Sequence, residues 1–244
     1  MSVPFTTAVV TGASRGFGRA IAAALVAAGT HTLGIARDEQ ELRAVQADLG
    51  NAFSPIPGDA TDETLAQNVI HEHRPTLLVL NAGATPHMAP VHHQTWETFT
   101  RNWQVDTRHV FTWIRAALRE PLPPGSVVVT MSSGAALGGS PLSGGYASAK
   151  AASRYISTYA NDESTRADLD IRFVALFPQL TPQGAGSTGV DGYAAREGVD
   201  RDTFIARLQP ILTPDQVAKA VMEATRGNAA EYRLTGTGLH QISR

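Results

Sequence analysis

The chain of 244 residues contains no cysteine, has a net charge of only −2 and lacks any long apolar run. Without cysteine there is neither a disulfide framework nor a thiolate nucleophile, which is compatible with a reducing compartment. The small net charge gives no reason to expect nucleic acid or an anionic membrane as a partner. No window approaches the ~20 apolar residues of a spanning helix, and the amino end lacks the segments of a signal peptide. We therefore expect a cytoplasmic protein that binds neither nucleic acid nor membrane.

What the chain does contain is an alternation of short apolar strands with helical segments, which predicts a parallel sheet. Hydrophobic residues make up 43% and charged residues 17% of the chain, as in a globular domain. No internal repeat or linker interrupts the pattern, so we expect one domain over residues 1–244. Two prolines weaken the third strand at residues 53–58, and a long helix is predicted over residues 95–118. Residues 179–208 look irregular, as in a mobile substrate loop.

Residues 127–153 combine an apolar strand, a Gly/Ser/Pro loop and an alanine-rich helix that carries Tyr146 and Lys150. Residues four apart share one face of a helix, so these two side chains are within reach of each other. An ammonium stabilises a neighbouring tyrosinate, which suits such a pair for general acid–base chemistry. Ser133, near the strand end, offers a hydroxyl that holds a substrate oxygen beside the tyrosine. Helix surface is the alternative for Tyr146 and Lys150, but the upstream serine favours a catalytic centre.

The second chemical feature is the glycine-rich loop of residues 11–18, TGASRGFG, which follows a strand and opens a helix. Glycines in this context allow a tight turn and let the backbone approach a pyrophosphate, which sits at the positive end of the helix. Glycines that serve packing alone are the alternative. The spacing, with a strand before and a helix after, favours dinucleotide binding.

Together, TGASRGFG, Asn81-Ala82-Gly83, Ser133 and the Tyr146–Lys150 pair resemble the short-chain dehydrogenase/reductase family in order and spacing, over essentially the whole chain. The resemblance implies a single-domain, Rossmann-like α/β fold, a doubly wound sheet of about seven parallel strands with helices on both faces. It implies an oxidoreductase that transfers a hydride between NADP(H) and a carbonyl or secondary alcohol. Tyr146 is then the general acid/base, with Ser133 and Lys150 as its catalytic partners.

The resemblance also implies a set of cofactor contacts, in which the pyrophosphate meets the glycine loop, the adenine meets residues 59–60 and the adenosine ribose meets residues 81–83. The implied cofactor-binding residues are Gly12, Ser14, Arg15, Gly16, Phe17, Gly18, Arg37, Asp59, Ala60, Asn81, Ala82, Gly83, Tyr146, Lys150 and Pro178. Asn81 has a structural alternative, which is to tie strand ends together. Asp62, in the same acidic segment as Asp59, is better explained as a helix N-cap.

The end of the second strand indicates which cofactor is preferred. An NAD enzyme of this fold wants an acidic residue there, to bind the 2′-hydroxyl of the ribose. Here the place holds Ala36, followed by Arg37, and Arg15 lies inside the glycine loop. Guanidinium groups grip a phosphate through several N–H donors, so we expect NADP(H) rather than NAD(H). A solvated residue at a helix start is the alternative for Arg37.

Two positions depart from the family pattern. Asp106 stands where the family has an asparagine that organises a water relay to the catalytic lysine, so it is a candidate fourth catalytic residue whose charge alters the surroundings of Lys150. Gln179 follows Pro178 where the family commonly has glycine, which changes the wall near the nicotinamide. These departures leave two rivals open. One is a catalytically silent NADP-binding sensor or scaffold, and the other is an epimerase or dehydratase that uses bound cofactor transiently.

Metal and subunit partners are the remaining expectations. The histidines within residues 71–93 offer no set of three ligands at suitable spacing, so no metal site is expected. Members of the family usually assemble through two long helices, so the resemblance implies a homodimer or homotetramer acting on a small-molecule carbonyl or alcohol. Trp103, Phe111 and Trp113 are candidates for the apolar contact between subunits, and core packing explains them equally well.

Overall fold

The computed structural model describes residues 5–242, apart from the side chain of Ala185. Its strands are β1 (Thr7–Thr11), β2 (His31–Ala36), β3 (Phe53–Pro57), β4 (Leu77–Leu80), β5 (Val127–Met131), β6 (Arg172–Pro178), β7 (Glu231–Thr235) and β8 (Gly238–Gln241). They form one sheet in the order β3-β2-β1-β4-β5-β6-β7-β8. Strands β1 to β7 are parallel, and β8 pairs antiparallel with β7. The predicted parallel sheet is confirmed, with one antiparallel strand added at its edge.

Helices cover both faces of this sheet. They are α1 (Gly16–Ala27), α2 (Glu39–Leu49), α3 (Glu63–His73), α4 (Trp96–Asn102), α5 (Arg108–Arg119), α6 (Ala135–Gly138), α7 (Gly144–Arg166), α8 (Ser187–Glu197), α9 (Arg201–Ala206) and α10 (Pro214–Arg226). A π-helical turn, Trp103–Thr107, joins α4 to α5, so the predicted long helix is interrupted at its centre. Within residues 5–242, no helix combines the length and the apolar character needed to cross a membrane.

Adjacent residues of the central strands enter two separate cores. In β1, Val10 packs with α1, α2 and α10, whereas Val9 packs with α3, α5 and α7. A strand buried on both faces needs apolar residues at consecutive positions rather than at alternate ones. This explains the unbroken apolar runs in the sequence and confirms the doubly wound arrangement.

Local sequence explains the edge strand and the helix that follows it. Pro55 and Pro57 are tolerated in β3 because it is the outer strand of the sheet, where one side of the backbone needs no partner. Asp62 accepts hydrogen bonds from the N–H groups of Thr64 (2.8 Å) and Leu65 (3.2 Å) at the start of α3. The prediction that Asp62 is an N-cap is confirmed.

Two helices, α8 and α9, stand where the sequence predicted an irregular segment at residues 179–208. Val190, Ala194 and Phe204 form a small core of their own there, apart from the two main cores. Their spacing among glycines and charged residues gives no sustained helical period, which is why the sequence pattern did not predict them.

Candidate active site

The predicted site residues gather at one edge of the sheet, because the carboxyl ends of parallel strands meet there. Strand order places β1 beside β4, and the connections that leave these two strands run in opposite directions across the sheet, β1 to β2 one way and β4 to β5 the other. A crevice at such a switch point is where ligands bind in open α/β sheets. The predicted residues follow the strands in turn: Gly12 after β1, Arg37 after β2, Asp59 after β3, Asn81 after β4, Ser133 after β5 and Pro178 at the end of β6.

The glycine loop makes a close backbone turn before α1. Gly12 has a φ of +67°, in the left-handed region that favours glycine. A Cβ atom at Gly18 would lie 2.0 Å from the Gly12 carbonyl oxygen, so a side chain there would force the loop apart. Helix α1 has no side-chain cap, and the N–H groups of its first turn have no partner within the helix. These free donors at a positive helix end fit the pyrophosphate of a dinucleotide.

Asn81 fastens the end of β4 to the glycine loop. Its Nδ2 donates to the carbonyl oxygen of Thr11 at 3.1 Å. The Thr11 Oγ1 in return accepts hydrogen bonds from the backbone N–H groups of Asn81 (2.9 Å) and Ala82 (3.1 Å). The side chain of Asn81 therefore ties the ends of β1 and β4 together, and residues 81–83 lie beside the glycine loop.

Asp59, beyond β3, is oriented by its own turn. It accepts hydrogen bonds from the backbone N–H (2.8 Å) and the hydroxyl (2.9 Å) of Thr61. The Thr61 backbone bond, with further help from the charges of Arg37 and Arg108, lowers the pKa of Asp59. The carboxylate is thus ionised at neutral pH, with Arg37 and Arg108 near enough for their charges to act on it.

Arg15 and Arg37 are the cations that follow β1 and β2. Both side chains are exposed, and neither guanidinium makes a hydrogen bond or a close ion pair with any residue in the described part of the chain. The influence of Arg37 on Asp59 is a longer-range charge effect. With Ala36 in place of an acidic residue, the end of β2 offers positive charge to a ligand.

The predicted catalytic helix brings Lys150 and Tyr146 together. The Lys150 Nζ lies 5.7 Å from the centroid of the Tyr146 ring and donates a hydrogen bond to the Met131 carbonyl oxygen at 3.1 Å. It also lies 3.4 Å from the Asp106 Oδ2, and both side chains of this ion pair are buried. The Asp106 Oδ1 accepts a hydrogen bond from the backbone N–H of Ala84 at 2.8 Å, so the carboxylate bridges Lys150 and the loop after β4.

The charge of Lys150 depends on this carboxylate. Burial acts to lower the pKa of Lys150, but the negative charge of Asp106, with a contribution from Tyr146 and a hydrogen bond from the lysine to Asp106, outweighs burial and raises the pKa. A lysine with a raised pKa remains an ammonium at neutral pH. The site therefore holds a fixed positive charge beside the tyrosine.

Ser133 follows β5 in a segment that is bonded directly to the catalytic helix. The neighbouring Ser132 Oγ donates to the carbonyl oxygen of Lys150 at 2.9 Å. Ser133 uses its own Oγ to accept the backbone N–H of Ala135 at 3.1 Å. That bond occupies a lone pair and leaves the hydroxyl proton free to be donated to a ligand.

Helices α8 and α9 lie within residues 179–210, the segment that follows β6, which we name the lid. Gln179 lies at its root, where its Nε2 donates to the carbonyl oxygen of Pro210 at 2.9 Å and so joins the two ends of the lid. On the other side the hydroxyl of Tyr193 is hydrogen-bonded to the hydroxyl of Ser140, in the loop after β5. The Tyr193 ring stacks on Phe204, with 6.2 Å between ring centroids. The residue that departs from the family pattern thus holds the lid in place.

The aromatic residues of the long helices divide into core and surface. Trp113 is fully buried and donates a hydrogen bond from Nε1 to the Ala60 carbonyl oxygen at 2.9 Å, so it is a core residue. Trp103 and Phe111 are exposed, as are Tyr155 and Tyr159 on α7, whose rings stack with 6.1 Å between centroids. The exposed four lie on the helices that were expected to meet a second subunit.

Two residues of this region were missed by the sequence reasoning. Tyr193 lies in the segment predicted to be irregular, so nothing in the pattern identified it. His109 is fully buried on α5, with its Nε2 3.0 Å from the Thr11 Oγ1. Its position three residues after Asp106 was the available indication, because that spacing places both on one face of a helix. No group of three metal-ligating side chains occurs among residues 5–242.

Comparison with known proteins now bears on these features. A family model described as short chain dehydrogenase matches residues 6–185. A "Probable NADP-dependent dehydrogenase" of Dichelobacter nodosus is 41% identical over 90 residues, 34% of this chain and 84% of that protein. A second protein of that name, from Haemophilus influenzae, is 38% identical over 92 residues, 36% of each chain. The NADPH-dependent pterin aldehyde reductase of Arabidopsis thaliana is 26% identical over 152 residues, 59% of this chain and 63% of that protein.

The alignments to the second and third relatives span less than two thirds of those proteins. The family match is broader, since it runs from the start of β1 to the root of the lid. It includes the glycine loop, residues 81–83, Ser133 and the Tyr146–Lys150 pair. Together with the doubly wound parallel sheet, this match shows that the chain belongs to the short-chain dehydrogenase/reductase family of oxidoreductases.

Proposed function

We propose that this protein is an NADP(H)-dependent carbonyl reductase or alcohol dehydrogenase. The observation that carries the proposal is the buried Lys150 ammonium, held by Asp106 at 3.4 Å and lying 5.7 Å from the Tyr146 ring centroid. A fixed cation beside a tyrosine favours transfer of the phenolic proton to and from a substrate oxygen.

Each residue then has one task. Tyr146 donates its hydroxyl proton to the carbonyl oxygen during reduction and accepts it during oxidation. Ser133 donates a hydrogen bond to the same oxygen, where negative charge develops. Lys150 supplies the positive charge and, beyond its contacts with Met131 and Asp106, one further N–H donor, which suits the nicotinamide ribose. When bound, NADPH supplies the hydride. Asp106 keeps the lysine charged and fixes its position.

NADP(H) is the proposed cofactor rather than NAD(H). Arg15 and Arg37 present free guanidinium groups where the 2′-phosphate of the adenosine ribose is expected, and Ala36 replaces an acidic residue. Relatives named as NADP-dependent or NADPH-dependent support the same choice. The glycine loop, Asp59, Ala60 and residues 81–83 form the rest of the proposed cofactor site.

We extend the proposal to the setting of the protein. Residues 1–244 act as one domain, with residues 179–208 shaping the pocket for a small carbonyl or alcohol. The protein is cytoplasmic and forms a homodimer or homotetramer, for which Trp103 and Phe111 on the helix of Asp106, with Tyr155 and Tyr159 on α7, offer an exposed aromatic face.

A silent sensor or scaffold and an epimerase or dehydratase remain the alternatives. Steady consumption of NADPH in the presence of a panel of aldehydes and ketones separates all three. A reductase consumes NADPH in proportion to the alcohol formed. An epimerase or dehydratase converts its substrate without net consumption, and a scaffold binds the cofactor and converts nothing.

Tyr146→Phe is the decisive variant. It removes one hydroxyl and little volume, so turnover should be abolished while NADPH affinity, measured by fluorescence titration, stays within about two-fold. Ser133→Ala should lower kcat by ~10²–10³ and spare the affinity, since it removes one hydrogen bond to developing charge. Lys150→Ala should damage both, because it removes a ribose contact as well as the charge beside Tyr146. Substantial ketone reduction by the Tyr146→Phe protein would refute the mechanism.

A further inference from the structure

His109 occupies a position that the proposed mechanism does not use. It is fully buried on α5, and its Nε2 lies 3.0 Å from the Thr11 Oγ1. Its other ring nitrogen, Nδ1, is also buried and has no partner of good hydrogen-bond geometry among the residues that the structure describes, although the Ala82 backbone lies near enough to act on the pKa of the ring. A buried imidazole with one unpaired nitrogen carries a cost in free energy, so its contact with Thr11 calls for an explanation.

The hydrogen bonds at the Thr11 hydroxyl determine which ring nitrogen of His109 carries a proton. The Thr11 Oγ1 already accepts the N–H groups of Asn81 (2.9 Å) and Ala82 (3.1 Å), which together occupy its two lone pairs. A protonated Nε2 would therefore point its hydrogen at an oxygen with no acceptor site left. The hydroxyl must instead donate its proton, and the His109 Nε2 is nearer than the alternative acceptor, the Val79 carbonyl oxygen at 3.3 Å. His109 is thus neutral, with its proton on Nδ1.

The surroundings agree with a neutral ring. Burial, and next the positive charge of Lys150, lower the pKa of His109 to about 3, against smaller opposing effects of the Ala82 backbone and of Asp59. The ring cannot charge without placing a second buried cation near Lys150. His109 therefore stays a hydrogen-bond acceptor throughout the range in which the folded protein works.

This acceptor orients the Thr11 hydroxyl, which joins two segments of the proposed cofactor site. Thr11 begins the glycine loop, and residues 81–82 begin the segment expected beside the adenosine ribose. We propose that His109 is a positioning residue for the cofactor, which acts by fixing the rotamer of the Thr11 hydroxyl so that its lone pairs hold the loop after β4 against the glycine loop. The inference rests on the proposed function, since it assumes that these segments bind NADPH.

Two substitutions separate the acceptor from the bulk of the ring. His109→Leu removes the acceptor at similar volume and should weaken NADPH binding about ten-fold, the effect of one buried hydrogen bond. His109→Gln places a carbonyl oxygen at the ε position and should stay within about two-fold of wild type. With saturating NADPH, kcat should be unchanged in both, because His109 touches no reacting atom. Thr112→Val is the matched control, because it changes another buried side chain of α5, one whose hydroxyl has no hydrogen-bond partner in the described chain.

Nitrogen NMR of the ¹⁵N-histidine-labelled wild-type protein tests the tautomer without any variant of doubtful folding. The His109 resonances, identified by their loss in His109→Gln, should show a protonated Nδ1 and an unprotonated Nε2, with no titration between about pH 5 and about pH 9. A protonated Nε2, or titration near the ordinary value for histidine, would overturn the inference even if His109→Leu failed to fold.

Measurements of NADPH binding distinguish a failure of the proposed function from a failure of the role assigned to His109. Wild-type protein that binds neither NADPH nor NADH would overturn the proposed function and this inference together. Wild-type protein that binds NADPH while His109→Leu binds it equally well, or while His109→Gln is as weak as His109→Leu, would overturn only the role of His109.

Discussion

Asp106→Asn is the substitution that most directly tests how the buried lysine is held. Asparagine has nearly the same shape as aspartate and keeps an oxygen to accept the backbone N–H of Ala84. It removes only the negative charge, which lies 3.4 Å from the Lys150 Nζ at a place where both side chains are buried. The expected effects are therefore those of an unpaired buried ammonium.

The size of the effect follows from distance and burial. At 3.4 Å and an effective dielectric constant of about 20, two unit charges attract by about 5 kcal/mol. Part of this lost attraction is recovered in the variant, because there is no longer a charged carboxylate that must be desolvated. Breaking one side of a buried ion pair in proteins costs about 3–5 kcal/mol, and the Met131 carbonyl still accepts a hydrogen bond from Lys150. We expect a loss of about 3 kcal/mol in the free energy of unfolding at neutral pH.

The dependence of this loss on pH identifies its cause. In the wild-type protein Asp106 keeps the pKa of Lys150 above its ordinary value, so the stability from the pair is complete below about pH 10 and is lost only as the pH rises through the folded-state pKa. In the variant burial is no longer offset, so the pKa of Lys150 falls below its unfolded value. The destabilisation caused by the buried ammonium then decreases as the pH rises from the Lys150 pKa of the folded variant towards the Lys150 pKa of the unfolded chain.

Urea unfolding at about pH 7 and about pH 9.5 measures this difference. The stability gap between the variant and the wild-type protein should narrow at the higher pH. The double variant Asp106→Asn/Lys150→Met, which removes the unpaired charge, should recover most of the loss. A gap of the same size at both pH values, with no recovery in the double variant, would show that the ion pair is not what stabilises this region. In activity assays, Asp106→Asn should shift the pH–rate profile towards lower pH, because the ammonium then acts on Tyr146 without an offsetting charge.

Three further predictions concern the cofactor, the lid and the subunit contact. Arg37→Asp should weaken NADPH binding by about 10² while NADH binding changes little, because a phosphate contact is lost and a repelling charge gained; equal losses in titrations of both would contradict the assignment. Gln179→Gly should raise the KM for substrate and speed proteolysis within residues 179–208, because it removes the hydrogen bond to the Pro210 carbonyl that joins the two ends of the lid. Unchanged proteolysis would show that this hydrogen bond does not hold the lid in place. Replacing Tyr155 and Tyr159 by glutamate should produce monomers in light scattering, and a wild-type monomer at micromolar concentration would refute the proposed assembly.

The order of strands and helices followed from the sequence because strong apolar runs and glycine loops dominate this fold. The third strand, expected at residues 53–58, runs from Phe53 to Pro57 in spite of its two prolines. The position of Ser133, Tyr146 and Lys150 followed as well, because all depend on short segments with fixed spacing. The roles of these residues remain predictions.

What the sequence could not predict depends on contacts between distant segments. The π-helical turn at Trp103–Thr107 changes the register of the helix just where Asp106 must reach both Ala84 and Lys150, and no local pattern announces that requirement. The helices α8 and α9 bury only a few side chains against each other. His109 gave no indication beyond its spacing, since its partner Thr11 lies 98 residues away.

The two departures from the family pattern argue against a scaffold that has lost its chemistry. Asp106 and Gln179 both make specific contacts. Asp106 pairs with Lys150, and Gln179 joins the two ends of the lid. A buried ion pair contributes little to stability when compared with apolar residues of the same volume, because desolvation offsets most of the attraction. A chain selected only for its fold would have no reason to hold an ammonium beside Tyr146 at that cost. The pair is consistent with the proposed reaction, which uses a positive charge at this point, and the recovery expected in the Asp106→Asn/Lys150→Met protein would show that its contribution to stability is separable from its proposed role in catalysis.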